Sequence, residues 1–164
     1  MQSTLVFVPP ASVHSHKMLN DCKIIPISNR SRFFVRTLVS NLLTRIESDS
    51  EFKLWTDETA RDFIANNYPW FLDTFDGYAY AIQRADAIRY FVLHYYGGVY
   101  LDLDVGCRRS LNPLLYMAIV LPETIPVGVS NDIMLAERGH PFMELVINNL
   151  MTFDGQYATN YPTV

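Results

Sequence analysis

Cysteine is scarce in this chain of 164 residues: Cys22 and Cys107 alone cannot build a disulfide framework or a four-thiolate zinc site. Glycine and proline are also few, at 7 and 9, which excludes a collagen-like or low-complexity protein. Long apolar runs are missing. The best candidates, Leu5 to Pro10 and Leu114 to Pro122, fall far short of the ~20 residues a bilayer-spanning helix needs. Lysine disappears after Lys53. What is present, 49% hydrophobic and 13% aromatic residues, suffices for one domain with a sizeable core and excludes disorder over the full length.

The formal net charge of −4 is unevenly spread. Residues 1–46 hold six basic side chains (Lys17, Lys23, Arg30, Arg32, Arg36, Arg45) against Asp21, a balance of +5, and the remaining 118 residues carry −9. The part with the stronger folding pattern is thus acidic, which argues against nucleic acid as a partner. The chain accordingly divides into a divergent basic segment, 1–46, and a folded core, 47–164. His14 and His16 form an H-x-H with no acid or thiol nearby and read as a solvated pair.

From Glu51 the pattern sharpens. Phe52, Leu54 and Trp55 make a strand-like run that stops at Thr56 and Asp57, good helix N-cap residues. Ala60, Phe63 and Ile64 give the following helix an apolar stripe that ends at Pro69, and Trp70, Phe71, Leu72 and Phe75 form an aromatic connector expected in the core. A second helix carries Ile82, Ala85, Ile88, Phe91, Val92 and Tyr95 on one face and stops at Gly97–Gly98. Asp86 and Arg89, three apart, share one side of it.

Val99 to Val105 then alternates, with Val99, Leu101, Leu103 and Val105 facing one way and Tyr100, Asp102 and Asp104 the other. Beyond an apolar stretch and Val127 to Val129 come Ser130, Asn131 and Asp132. A last helix should start near Pro141, with Phe142, Leu145 and Val146 inward. Strands alternating with helices predict an α/β domain with a mostly parallel sheet.

Two carboxylates at neighbouring same-face positions of an apolar strand repel each other and lose hydration unless a cation or protons compensate. Hard oxygen donors favour Mg²⁺ or Mn²⁺, ions that take one or two protein carboxylates and fill their other positions with phosphate oxygens and water. Asp102 and Asp104 therefore point to a diphosphate substrate, and Arg89 is placed to offset phosphate charge or to pair with an acid.

The segment AIQRADAIRYFVLHYYGGVYLDLDV resembles the sugar-binding region of glycosyltransferase family thirty-two, the D-x-D family with a GT-A, Rossmann-like nucleotide-sugar-binding fold. GVYLDLDVGCRRSLNPLL and PVGVSNDIMLAERGHPFMELVINNL are most similar to fungal inositol phosphorylceramide mannosyltransferases, the catalytic subunits of mannosyl phosphorylinositol ceramide synthase. The resemblance spans about Phe52 to Leu150. It implies retaining transfer of a sugar, mannose from GDP-mannose, to a glycolipid or glycan acceptor such as inositol phosphorylceramide. It also implies a Mn²⁺ or Mg²⁺ cofactor, a regulatory membrane subunit as a further partner, and an address in the Golgi or endomembrane lumen.

By the same resemblance Asp104 binds the metal directly, and Asp102 contacts donor hydroxyls and the metal shell. Asp86 and Arg89 grip the donor sugar and phosphate, Tyr100 packs on the nucleotide, and Asn131 and Asp132 face the acceptor or reacting sugar. Asp86, Asp102 and Asp104 form the expected catalytic set. Trp55 and Asp57 match the end of the family's second strand, where a structural part is expected. His94 and His140 read as core and cap residues, and Arg108 and Arg109 either meet an anionic group or form a solvated turn.

The family's opening strand, of the type I-P-K-I-I-H-Q-x-W, has only a faint echo in CKIIPISNR at 22–30, and the sequence stops at Val164, so the fold is expected to be incomplete at both ends. Two other readings compete. One is a non-catalytic fragment that binds a nucleotide sugar or a partner transferase. The other is a haloacid dehalogenase-type phosphohydrolase, whose D-x-D strand VYLDLDV resembles; that chemistry needs a downstream lysine and a paired Asp-Asp, which the sequence lacks.

Overall fold

The computed structural model describes residues 4–8, 51–102, 105, 111–124 and 126–152. Strand β1 (Thr4–Val8) is followed by β2 (Glu51–Trp55), helix α1 (Asp57–Asn67), a 3-10 turn (Pro69–Phe71), α2 (Leu72–Gly77) and α3 (Ala81–Tyr96). Then come β3 (Gly98–Asp102), a second 3-10 turn (Asn112–Leu114), β4 (Ile119–Val120), β5 (Ile133–Ala136) and α4 (Pro141–Leu150).

Local chemistry sets the helix ends. Thr56 caps α1: its hydroxyl accepts the Thr59 N–H at 3.2 Å while Thr59 Oγ1 accepts the Thr56 N–H at 2.8 Å, and Asp57 and Glu58 face the positive end of the helix dipole. Pro69 halts the run. Helix α3 ends at Gly97, whose φ of 69° suits glycine, and the next residue, Gly98, also has a positive φ, of 95°. A Cβ on Gly97 would lie 2.6 Å from the Arg138 amide nitrogen.

The sheet has the order β2-β1-β3-β5-β4 and is antiparallel at every pairing, which corrects the expected mostly parallel arrangement. The reason lies in β1. It runs opposite to both β2 and β3 and separates them, so these two strands, joined through α1 to α3, share a direction without touching. A helical crossover does connect strands of like direction, as the alternation of elements implied, but a reversed strand occupies the place between them. The β4–β5 hairpin adds a further antiparallel pair. Thr4–Val8 belongs to the basic segment set apart by composition, yet it sits inside the sheet.

The alternation of β3 sorts its residues onto two cores. Val99 and Leu101, with Val105, Leu111, Ile133 and Leu135, form a cluster on one face of the sheet. Tyr100, Met134 and Ala136 join Trp55, Phe63, Phe71, Phe75, Phe91 and Met143 in the larger cluster under the helices. There Phe91 meets Phe71 at 4.5 Å and Tyr68 at 4.9 Å between ring centroids, contacts of about 0.5–1.5 kcal/mol each beyond area burial. Tyr68 also shares a 2.8 Å hydrogen bond with His94 Nδ1, and burial pushes its phenol up to about 12.

Three expectations about faces are corrected. Ile82 is exposed, while Ala87, Arg89 and Leu93 are buried, because α3 is enclosed almost all round between the sheet, α1 and α4. In α4 Met143 and Ile147 point inward and Phe142 and Leu145 outward: the N-cap at His140, whose Nδ1 accepts from the Phe142 N–H, fixes the rotation of the helix. Trp70, in the aromatic connector, is half exposed beside the buried Phe71 and Phe75.

Candidate functional site

The site lies where β3 ends. Asp102 is the last residue of that strand, two positions after Tyr100 and on the same face. Tyr100 is wholly buried, and its hydroxyl donates to Asp102 Oδ1 at 2.6 Å. Its ring, expected to pack on a nucleotide, is enclosed among the described residues, and its hydroxyl is engaged by the carboxylate. The Arg89 guanidinium sits 5.1 Å above the ring, where the π face attracts a cation.

Among the described residues Arg89 is the charged residue buried most deeply, at 4% exposure, and four hydrogen bonds hold it. Its Nε donates to the Ala85 carbonyl at 3.3 Å and its Nη1 to the Asn131 carbonyl at 2.7 Å and Asp102 Oδ2 at 3.4 Å. Its Nη2 donates to Asp86 Oδ1, one helical turn back. Asp86 and Asp102 keep side-chain exposures of 47% and 28%, and Asp102 has its Oδ1 on the Tyr100 hydroxyl and its Oδ2 toward Arg89. Burial raises the Asp86 pKa above the ordinary carboxylate range, although Arg89 pulls the other way.

The loop before β5 closes the arrangement. The Asp132 carbonyl accepts the Asp102 N–H at 2.8 Å, extending the β3–β5 ladder by one bond past the strand end. Asp132 Oδ1 accepts from the Ser130 hydroxyl and from the Ile133 N–H at 3.1 Å, and Asn131 Nδ2 donates to the Tyr90 hydroxyl at 3.3 Å. The expected donor and acceptor residues Asp86, Arg89, Tyr100, Asp102, Asn131 and Asp132 are therefore brought together. Asn131, however, turns its amide back to α3. Asp104 lies outside the described residues, as do Arg108, Arg109, Cys22, Cys107, His14, His16 and the stretch 22–30.

Beside this cluster a shallow depression with room for about one water molecule, about 10 Å³, is lined by Trp55, Thr56, Asp57, Phe75, Arg84 and Ala85, among others. Ala85 ties it to the neighbouring Asp86. The Trp55 indole N–H is buried without a hydrogen-bond partner among the described residues, and Arg84 is held by the Tyr78 carbonyl at 2.7 Å. Sequence reading gave Trp55 only a structural part. The signal that was available, a tryptophan and an aspartate at a strand-to-helix junction, does not say whether the indole N–H finds a partner.

Two hard carboxylate donors one residue apart in sequence, Asp102 and Asp104, are of the type that suits a divalent cation sharing its shell with a diphosphate. Asp86 and Asp102, two carboxylates to one guanidinium, leave the immediate surroundings of Arg89 net negative, which favours a cation electrostatically. Among the described residues no group of three or more His, Cys, Asp and Glu side chains gathers as a self-sufficient metal cage.

A mixed α/β domain whose strand ends in a D-x-D aspartate beside a buried arginine accords with a glycosyltransferase domain, and the family match establishes that class. The chain belongs to the glycosyltransferase family described as the sugar-binding region containing the DXD motif, which matches residues 35–120. Membership implies a GT-A-like fold. The chain is 51% identical over 119 residues to inositol phosphoceramide mannosyltransferase 3 of Schizosaccharomyces pombe, covering 73% of this chain and 33% of the relative. It is 50% identical over 119 residues to a mannosyl phosphorylinositol ceramide synthase of Saccharomyces cerevisiae, covering 73% of this chain and 31% of that protein. A more distant similarity, 28% over 103 residues, links 60% of the chain to 41% of an uncharacterized glycosyltransferase of Acanthamoeba polyphaga mimivirus. The chain spans about a third of the length of the two fungal relatives. No solved structure matches it.

Proposed function

We propose that this chain carries the donor-handling core of a metal-dependent mannosyltransferase that moves mannose from GDP-mannose to a glycolipid acceptor such as inositol phosphorylceramide, with retention at the anomeric carbon. The observation that supports it most is the Asp86–Arg89–Asp102 cluster at the end of a strand, with Asp104 two residues further along the sequence. Relatives whose names specify inositol phosphoceramide as acceptor support the choice of sugar and lipid.

Asp104 and Asp102 would hold Mn²⁺ or Mg²⁺. A cation there supplies charge compensation to the departing diphosphate. Tyr100 keeps Asp102 in one rotamer through its 2.6 Å hydrogen bond. Arg89 is a positioning residue: four of its five N–H donors go to Ala85, Asn131, Asp86 and Asp102, and it aims both carboxylates at the donor instead of gripping phosphate itself. Asp86, half exposed, reaches the sugar hydroxyls. Asp132 faces the acceptor side. A Golgi-lumenal address and a membrane regulatory subunit belong to the same reading; no helix among the described residues is long and apolar enough to cross a membrane.

The test is Mn²⁺-dependent binding of GDP and release of GDP from GDP-mannose, with Asp104→Ala alongside and UDP-sugars as competing donors. Binding that needs Mn²⁺ and disappears in the variant is the expected result. Binding with no turnover identifies a non-catalytic donor-binding chain, and binding indifferent to both Mn²⁺ and the substitution sinks the metal site.

A further inference from the structure

Arg89 and Tyr90 are consecutive on α3, and both end on Asn131, 41 residues beyond Tyr90 in sequence. Arg89 Nη1 donates to the Asn131 backbone carbonyl at 2.7 Å. The Tyr90 hydroxyl accepts from Asn131 Nδ2 at 3.3 Å. One residue is thus gripped at its main chain and its side chain by two neighbours of a single helix. The residue after it, Asp132, offers its carbonyl to the Asp102 N–H at 2.8 Å, and this bond lies outside the regular β3–β5 pairs. A continuous path runs from α3 through Asn131 and Asp132 to the backbone of Asp102.

We infer that Tyr90 and the Asn131 side chain form a clamp that positions Asp102 by fastening the 130–132 loop to α3, so that both are positioning residues for the donor site. The inference rests on the proposed donor site for its consequence in function, and on the hydrogen bonds alone for its structural content. The geometry explains why a polar amide lies in a loop beside reactive carboxylates and yet points away from them. The backbone on either side of Asn131 is held by the Ser130 N–H on the Pro122 carbonyl at 2.9 Å and by the Leu101–Ile133 pair of the sheet, and Arg89 adds the Asn131 carbonyl. The Tyr90 bond adds a hold on the Asn131 side chain and so narrows the directions open to the Asp132 carbonyl and to the Asp102 amide it holds. The Tyr100 hydroxyl then sets the carboxylate on a backbone already fixed.

Amide hydrogen exchange on the full chain tests the clamp directly. In Tyr90→Phe, which removes one oxygen and keeps the ring, the Asp102 amide is expected to exchange about three- to tenfold faster, the change a single hydrogen bond brings to a local opening. The buried Ile147 amide in α4 serves as a reference that only wider unfolding would move. Asn131→Ala should give the same acceleration, and the double variant no more than either one, because both remove the same contact. Mn²⁺ affinity in the presence of GDP, read by the resonance signal of the free ion, should fall by a similar factor. Unchanged Asp102 exchange in Tyr90→Phe, or effects that multiply in the double variant, would overturn the inference. If the unaltered protein fails to bind Mn²⁺ with GDP, the donor-site reading falls, while the exchange rates still decide the clamp.

Discussion

Replacing Arg89 by methionine keeps most of the aliphatic stem and removes the group on which the site is organised. The charge-assisted bond to the Asn131 carbonyl, on a guanidinium only 4% exposed, is the largest loss, about 1.5–3 kcal/mol. The pairs to Asp86 and Asp102 add less, because these carboxylates are 47% and 28% exposed and recover hydration when the cation leaves, so together they contribute about 1 kcal/mol. Regained packing of the methionine offsets a part. The variant should be destabilised by about 2–4 kcal/mol, below the 3–5 kcal/mol typical of breaking a fully buried pair. Urea unfolding followed by tryptophan fluorescence would show it as a lower midpoint at constant slope, and heating as a drop of roughly 5–15 °C for a chain of this length. Arg89→Lys should recover less than half of the loss, since one ammonium cannot reach the Ala85 and Asn131 carbonyls and both aspartates together. A methionine variant within 1 kcal/mol of the parent would refute the assignment of Arg89 as the organiser of this end of the sheet.

Further outcomes follow from other parts of the fold. Asp86 has a raised folded pKa, so its ionisation costs stability as pH rises from the ordinary value of 3.8 through the folded value. Relative to Asp86→Asn, the parent should therefore gain stability as pH falls through that window, and a pH series of urea midpoints on the two proteins checks the sign. Tyr68, pushed to about 12 by burial, predicts stability that is intact below pH 10 and lost as pH rises toward 12. Tyr68→Phe should flatten that alkaline loss, measured by ultraviolet absorbance of phenolate together with circular dichroism. Gly97→Ala places a Cβ 2.6 Å from the Arg138 amide at a φ of 69° and should cost about 2–4 kcal/mol in the same unfolding assay.

Much of the site was legible before any coordinates. Two acids one residue apart on an alternating apolar strand, and an Asp and an Arg one helical turn apart before a Gly-Gly stop, are local patterns whose geometry follows from periods of 2.0 and 3.6. The short strand Ile133–Ala136 was not legible, because all four residues are buried and apolar. With no polar face there is no alternation to read, and the covering layers on both sides of the sheet explain why none is needed. The exposure of Val127 and Val129 shows the opposite case, an apolar run that looks like a strand interior yet forms the rim of the β4–β5 hairpin.

Tertiary structure decided the direction of strands and the partners of charges. Whether a helical crossover returns to an adjacent parallel strand depends on what lies between, and β1, distant in sequence and without a local signal of its direction, occupies that place. The same holds for Arg89. Its sequence position established that it faces Asp86, but its carbonyl partner at Asn131 is 42 residues away, and only the folded chain shows that its donors are turned inward to protein acceptors. The sequence by itself determined which residues share a face and that this end of the strand is anionic, since those follow from local geometry and composition. Which of those residues stay open to a ligand and which hold the others in place depends on long-range packing and burial, and the tertiary structure alone decided it.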